Sequence, residues 1–201
     1  MLVTVADAKE YMGIGSADFS IPDAIIEGMI NAVGDIFDNE LNRTLESATF
    51  TMHLDGTGTQ SIFVPAYPIV SITSINIDSD RVFGAGTLVS SGDYVVYNSR
   101  GEITMVKSTY PVRYNYFPIG KQNIKIVYVG GYSTTGTVTL PYDLQKAAKD
   151  QVKFLFKKWQ SGEEGLTSYS SLNSNVNLVE ATDILPMVNR VLDKYRNYYH
   201  G

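Results

Sequence analysis

Cysteine is absent from the 201-residue chain, which removes a disulfide framework, a thiolate metal site and a cysteine nucleophile together. Histidine is nearly absent, with only His53 and His200. One falls in an alternating, strand-like run and the other is next to last, so no histidine metal site is expected. No apolar run is long enough to cross a bilayer. The opening Met1-Leu2-Val3-Thr4, followed by Asp7, Lys9 and Glu10, lacks the basic-then-apolar order of a signal peptide. A soluble protein made in a cytoplasm is the expectation. Positive charge is in deficit, with 16 basic against 21 acidic residues, so no general field draws in polyanions.

Motifs that carry chemistry are missing as well. Gly56-Thr57-Gly58-Thr59 lacks the Lys-Ser/Thr ending of a phosphate loop and precedes a strand instead of a helix. Asp78-Ser79-Asp80, with Asp55, lacks the loop length and terminal glutamate of a calcium-binding hand, and a solvated turn is the simpler reading. No nucleophile elbow surrounds any serine. Glu163-Glu164 lies in a polar stretch where neither burial nor rigid placement would tune a carboxylate. The expectation is a protein without catalytic residues, cofactor or metal.

What remains is globular composition, 44% hydrophobic and 18% charged, in the order helices, strands, helices. Thr4 with Asp7 resembles a capping box that opens a short helix closed by Gly13. Ser20, Pro22 and Asp23 open a second helix running to about Arg43. Its apolar stripe is Ile25, Ile26, Met29, Ile30, Val33, Ile36, Phe37 and Leu41. Alternation then takes over in Phe50/Met52/Leu54, Ile62/Val64, Ile75/Ile77, Ile103/Met105 and Ile124/Ile126/Tyr128. Glycine-rich turns separate these runs. Six or seven short strands suggest an antiparallel sandwich or barrel.

Leu140-Pro141-Tyr142-Asp143 opens a third helix with the stripe Leu144, Ala148, Val152, Leu155 and Trp159, and Ala147, Gln151 and Phe156 beside it. Lys157 and Lys158 read as its wet face and Trp159 as core. Residues 160–182 show no sustained periodicity, an uncommon length for a plain connection. Asp183 can cap a last helix with Pro186 in its first turn and Leu185, Val188, Leu192, Tyr195 and Tyr199 on its apolar side. The fold expected is α+β. N- and C-terminal helices (1–46 and 140–201) form a small bundle, from which residues 47–139 emerge as an antiparallel β sandwich or barrel-like insertion.

The last helix interleaves Arg190, Lys194 and Arg196 with Tyr195, Tyr198 and Tyr199. Such a mixture suits a protein interface or a nucleic acid, and equally cations at a helix end with half-buried tyrosines.

The order of these signals resembles the head–tail connector, or adaptor, proteins of tailed phages and prophages. The residues that carry the likeness are Thr4 to Ile14, Leu54-Asp55-Gly56-Thr57-Gly58, Val64-Pro65-Ala66-Tyr67-Pro68-Ile69-Val70-Ser71-Ile72, Asp93-Tyr94 and Gly101-Glu102-Ile103. Ile124 to Tyr132, leading into Leu140-Pro141-Tyr142-Asp143-Leu144, completes it. Residues 160–182 depart from the shorter family members. The resemblance implies a non-enzymatic virion protein at the neck, made in a host bacterial cytoplasm. It implies a homo-oligomeric ring, usually of twelve subunits, bound to a portal and to a downstream stopper or tail protein. DNA would pass through the ring without sequence-specific binding, and no membrane is involved. A polar segment too long for one domain suits an arm reaching a neighbour in a ring closed by head-to-tail interfaces. Glu163, Glu164, Leu166, Tyr169 and Leu172, with Arg190, Lys194, Tyr195, Arg196, Tyr198 and Tyr199, are the expected interface residues. Two other readings stay open. One is a tail-completion or stopper-type phage protein. The other is a carbohydrate- or peptide-binding β module, which would need Tyr110, Tyr114, Tyr116 and Phe117 as an exposed aromatic cluster.

Overall fold

A computed structural model of the chain describes residues 2–15, 21–107, 115–134, 136, 138–162, 184–196 and the backbone of 168–171 and 174–177. The fold is α+β and divides into two compact units, Met1–Asn42 with Thr139–Tyr198, and Arg43–Val138 with the last three residues.

The first unit is helical. Thr4 Oγ1 accepts the Asp7 N–H at 3.1 Å to start α1 (Val5–Met12), and Gly13 ends it at φ 79°, where glycine carries no Cβ penalty. α2 (Asp23–Leu41) begins after Pro22 and stops at Asn42, also left-handed at φ 53°. α3 (Tyr142–Ser161) follows Pro141, and α4 (Pro186–Leu192) has its proline at the first position. α3 packs against α1, α2 and α4. The buried stripe of α2 is Ile26, Ile30, Val33, Phe37 and Leu41, while Ile25, Met29 and Ile36 sit half-buried at its margins. Burying each such side chain contributes about 1.5–3 kcal/mol.

On α3 the buried face is rotated from the expected stripe. Gln151 and Lys158 are buried, whereas Leu155 and Trp159 are half-buried. Lys158 is therefore not on the wet face. Its Nζ lies 5.3 Å from the centre of the Phe154 ring, and its long apolar stem makes burial tolerable. The cap of α4 also differs. Leu185 occupies the N-cap and offers no side-chain acceptor. Asp183 lies outside the described residues.

The second unit holds six described strands: β1 (Ala48–Gly56), β2 (Ser61–Phe63), β3 (Ile69–Ile77), β4 (Tyr94–Tyr97), β5 (Glu102–Met105) and β6 (Gly120–Gly130). They pair antiparallel as two sheets, β1-β6-β3 and β2-β5-β4. Ile75, Ile77, Ile124, Ile126 and Tyr128 from one sheet share a core cluster with Ile62, Ile103 and Met105 from the other, and with Phe117. The sheets stay separate, so the unit is sandwich-like and not a closed barrel. Two glycines are needed where chains meet. A Cβ on Gly56 would fall 1.8 Å from the Pro118 carbonyl oxygen. Gly131 is left-handed at φ 96°, with the Glu46 carbonyl oxygen 2.7 Å from where its Cβ would be.

The Asp78 turn is held by its own carboxylate, which accepts the N–H groups of Asp80 (3.0 Å), Val82 (3.0 Å) and Phe83 (2.8 Å). These bonds support Arg81 and Phe83 at φ 60° and 55°. Its pKa is held below the ordinary carboxylate value by the backbone hydrogen bonds from Phe83 and Asp80.

Regular backbone structure enters residues 160–182 at two places that the sequence does not signal. α3 runs on to Ser161, and β7 (Ser168–Ser171) pairs antiparallel with β8 (Ser174–Asn177) as a sheet of two strands. Serine and asparagine carry little strand propensity, so a ladder built from backbone hydrogen bonds leaves no alternation to read.

Candidate functional site

The expected interface residues on and after α4 divide by what they touch. Arg190 is exposed on the helix. The next three bind inward. Tyr195 Oη donates to Asp143 Oδ1 at 2.7 Å, and Lys194 Nζ lies 3.7 Å from the other oxygen of that carboxylate. Arg196 donates from Nη2 to Glu40 Oε2 at 2.8 Å and from Nε to the Glu40 carbonyl at 3.1 Å. Its Nη1 is 3.3 Å from Asp193. Basic and aromatic groups here hold the end of the helical unit onto α2 and α3. Tyr169 stands opposite Val176 in the β7–β8 ladder. Glu163, Glu164, Leu166, Leu172, Tyr198 and Tyr199 lie outside the described residues.

Between α3 and α4 an open cavity of about 190 Å³ is lined by Asp143, Lys146, Ala147, Asp150, Met187, Val188 and Val191. Ala147 and Val188 are buried, Met187 is 58% exposed, and Tyr142 in the first turn of α3 is 88% exposed. The rim is a chain of polar contacts. Tyr11 Oη donates to Asp150 Oδ1 at 2.5 Å, and Lys146 Nζ reaches Asp150 Oδ2 at 2.7 Å. The Asp150 hydrogen bond pushes the Tyr11 phenol up, and the same carboxylate pushes the Lys146 ammonium up. Both shifts carry the pKa values further above neutral pH, holding the phenol neutral and the ammonium charged, the reverse of what a proton-transfer catalyst needs. Sequence reading missed Met187 and the exposure of Tyr142, because Leu140-Pro141-Tyr142-Asp143 reads as a helix start and says nothing about solvent.

The aromatic cluster on the β unit does not form from the rings described. Phe117 is fully buried in the core while Tyr116 is 40% exposed, and Tyr110 and Tyr114 lie outside the described residues. Among the described residues no group of three or more His, Asp or Glu is placed to hold a metal ion, and no helix is long and apolar enough to cross a membrane.

No curated protein matches the chain. Among the solved structures that share its fold, three align over 99% of this chain and 91% of theirs. One is from the virion of a native gene transfer agent (GTA) particle, 16% identical with a TM-score of 0.64. Another is from the neck of an empty GTA particle computed with C6 symmetry, 16% identical at 0.61. The third is from the neck of a native GTA particle computed with C12 symmetry, 14% identical at 0.62. A family match spans almost the whole sequence, residues 1–198, and by that match the chain belongs to the head completion protein family.

Proposed function

We propose that this chain, a structural subunit of the phage neck that joins head to tail, closes into a homo-oligomeric ring. The ring sits between a portal and the next stopper or tail component and extends the DNA channel. It works without catalysis. The observation that carries this reading is the family match over residues 1–198. Ring formation is supported by the C6 and C12 symmetry of the necks that hold proteins of similar fold, and twelve copies is the number we expect. Net charge of -5 suits a conduit that must not retain DNA.

The contacts to neighbouring subunits and to the portal come from residues 160–182 and the exposed face of α4. Lys194, Tyr195 and Arg196 contribute by fixing the end of the helical unit, which leaves Arg190 and Met187 to face a partner. Replacing residues 163–180 with a short Gly-Ser linker tests this. The melting temperature should stay nearly unchanged while neck assembly is lost. Infectious particles at normal yield would reduce the segment to a passive connection. A cryo-EM map placing the chain anywhere but between head and tail would end the whole reading.

A further inference from the structure

α2 and α3 carry charge of opposite sign. α2 holds five acids, Asp23, Glu27, Asp35, Asp38 and Glu40, and neither lysine nor arginine. α3 holds five lysines, Lys146, Lys149, Lys153, Lys157 and Lys158, against Asp143 and Asp150. Part of this charge is matched inside the helical unit. Asp23 pairs with Lys9 at 2.5 Å, Lys146 with Asp150 at 2.7 Å, Glu40 with Arg196 at 2.8 Å and Asp143 with Lys194 at 3.7 Å. Two rows are left over. Among the described residues, Lys149, Lys153 and Lys157 have no carboxylate partner, and Glu27 and Asp35 have no cationic one.

Lys149, Lys153 and Lys157 recur at every fourth residue and so form one line along α3. The line runs on the side of the helix away from buried Leu144, Ala148 and Gln151. Lys157 is exposed, and half-buried Lys153 is held with its Nζ 5.3 Å from the centre of the Tyr11 ring. Like charges at this spacing repel one another, so the row gains from acids brought to it. Glu27, Asn31 and Asp35 form the matching line on α2, again at every fourth residue and all exposed. Ala24, Gly28 and Ala32 run beside them, also exposed. Side chains this short let a second helix come close. Glu27 and Asp35 are eight residues apart, as are Lys149 and Lys157, and each span is about 12 Å. The outer acids therefore match the outer lysines whichever way the two helices run, with Asn31 opposite Lys153. Within one subunit no ion pair joins these rows among the described residues.

We infer that the Lys149–Lys153–Lys157 row of one subunit seats on the Glu27–Asn31–Asp35 row of a second copy. Such a contact uses two different patches, the head-to-tail kind that closes a ring, and charge complementarity fixes its register. The inference rests on the ring reading above and adds a contact to those named there. It also takes the lysines out of reach of passing DNA, which an open row of cations would hold.

Two charge-reversed chains test it. One carries Lys149→Glu with Lys157→Glu, the other Glu27→Lys with Asp35→Lys. Each should melt near the parent, since none of the four side chains has an ion pair to lose. Expressed alone in place of the parent, each should lose neck assembly, because like charges then meet at every contact. Expressed together they should regain it, because contacts between unlike chains again pair acid with lysine. The necks should then hold both chains in equal amounts. Either reversed chain assembling alone at the parent's yield overturns the pairing and leaves the ring reading standing. Failure both alone and together, with melting unchanged, also overturns it and gives the lysine row to another partner, the portal or DNA. If reversal lowers the melting temperature, cross-linking decides instead. The chain has no cysteine of its own, so Asn31→Cys on one chain and Lys153→Cys on another can be joined by a short thiol-reactive linker. Mixed dimers are expected from assembled necks, and their absence overturns the pairing. Necks holding the chain as a single copy would end the ring reading and this inference together.

Discussion

Gln151, in the middle of α3, is fully buried, and its Oε1 accepts the backbone N–H of Leu185 at 3.1 Å. Leu185 is the N-cap of α4 and has no side-chain acceptor of its own. The start of one helix is thus satisfied by the core of another. Gln151→Leu keeps the volume and removes the acceptor, leaving the part-buried Leu185 N–H without this partner. A loss of about 1–3 kcal/mol is expected, read as a lower urea midpoint at unchanged slope. A variant as stable as the parent would show that the Leu185 N–H has another acceptor.

Phe117 ties the segment before β6 to the core. Its N–H donates to the Thr59 carbonyl and its own carbonyl accepts the Gly58 N–H, both at 2.8 Å, while the ring sits in the shared cluster. Phe117→Ala should cost about 3–5 kcal/mol. Substituting the exposed Tyr116 with alanine should cost far less. Equal losses, measured by thermal denaturation, would contradict the burial of one ring and exposure of the other.

Asp78 makes stability depend on acid pH. Its folded pKa is depressed, so the unfolded chain takes up a proton first on acidification. The stability it contributes is complete above the ordinary carboxylate pKa of about 3.9, and is lost as pH falls from there through the lower folded value. Asp78→Ala should therefore melt below the parent by a constant margin near neutrality, and the margin should narrow as pH drops below about 4. A margin that widens in acid would reverse the sign of the argument.

A chain cut after residue 140 removes α3, against which α2 packs. The stripe Ile26, Ile30, Val33 and Phe37 would lose that cover, and aggregation is expected in place of a cooperative melt. A soluble, cooperatively unfolding fragment 1–140 would show that α2 finds its cover elsewhere.

Local signals carried a good part of this fold. The Thr4 cap, the Gly13 stop and the α2 stripe are each written within a few consecutive residues, because helix caps and helical periodicity are short-range chemistry. Alternation likewise marked the core positions of the strands. Elsewhere local chemistry had nothing to show. Leu155 and Trp159 fit the α3 stripe as well as Gln151 does, yet the polar residue is buried, because the α4 N-terminus needs an acceptor there. Among the candidate interface residues, Arg190, Lys194 and Arg196 are alike in sequence. Only the placement of Asp143 and Glu40 separates those that bind inward from the one that does not.

The sequence by itself determined which segments are helix or strand across most of the chain, and which of their faces are apolar. It also determined that no thiol chemistry is open to the chain. Tertiary structure alone decided the strand order β1-β6-β3, the pairing of β7 with β8, and which strands form the edges of the sheet. Periodicity along a chain records that a face must be buried. What buries it depends on partners far away in sequence, and on backbone hydrogen bonds in which every residue type can join.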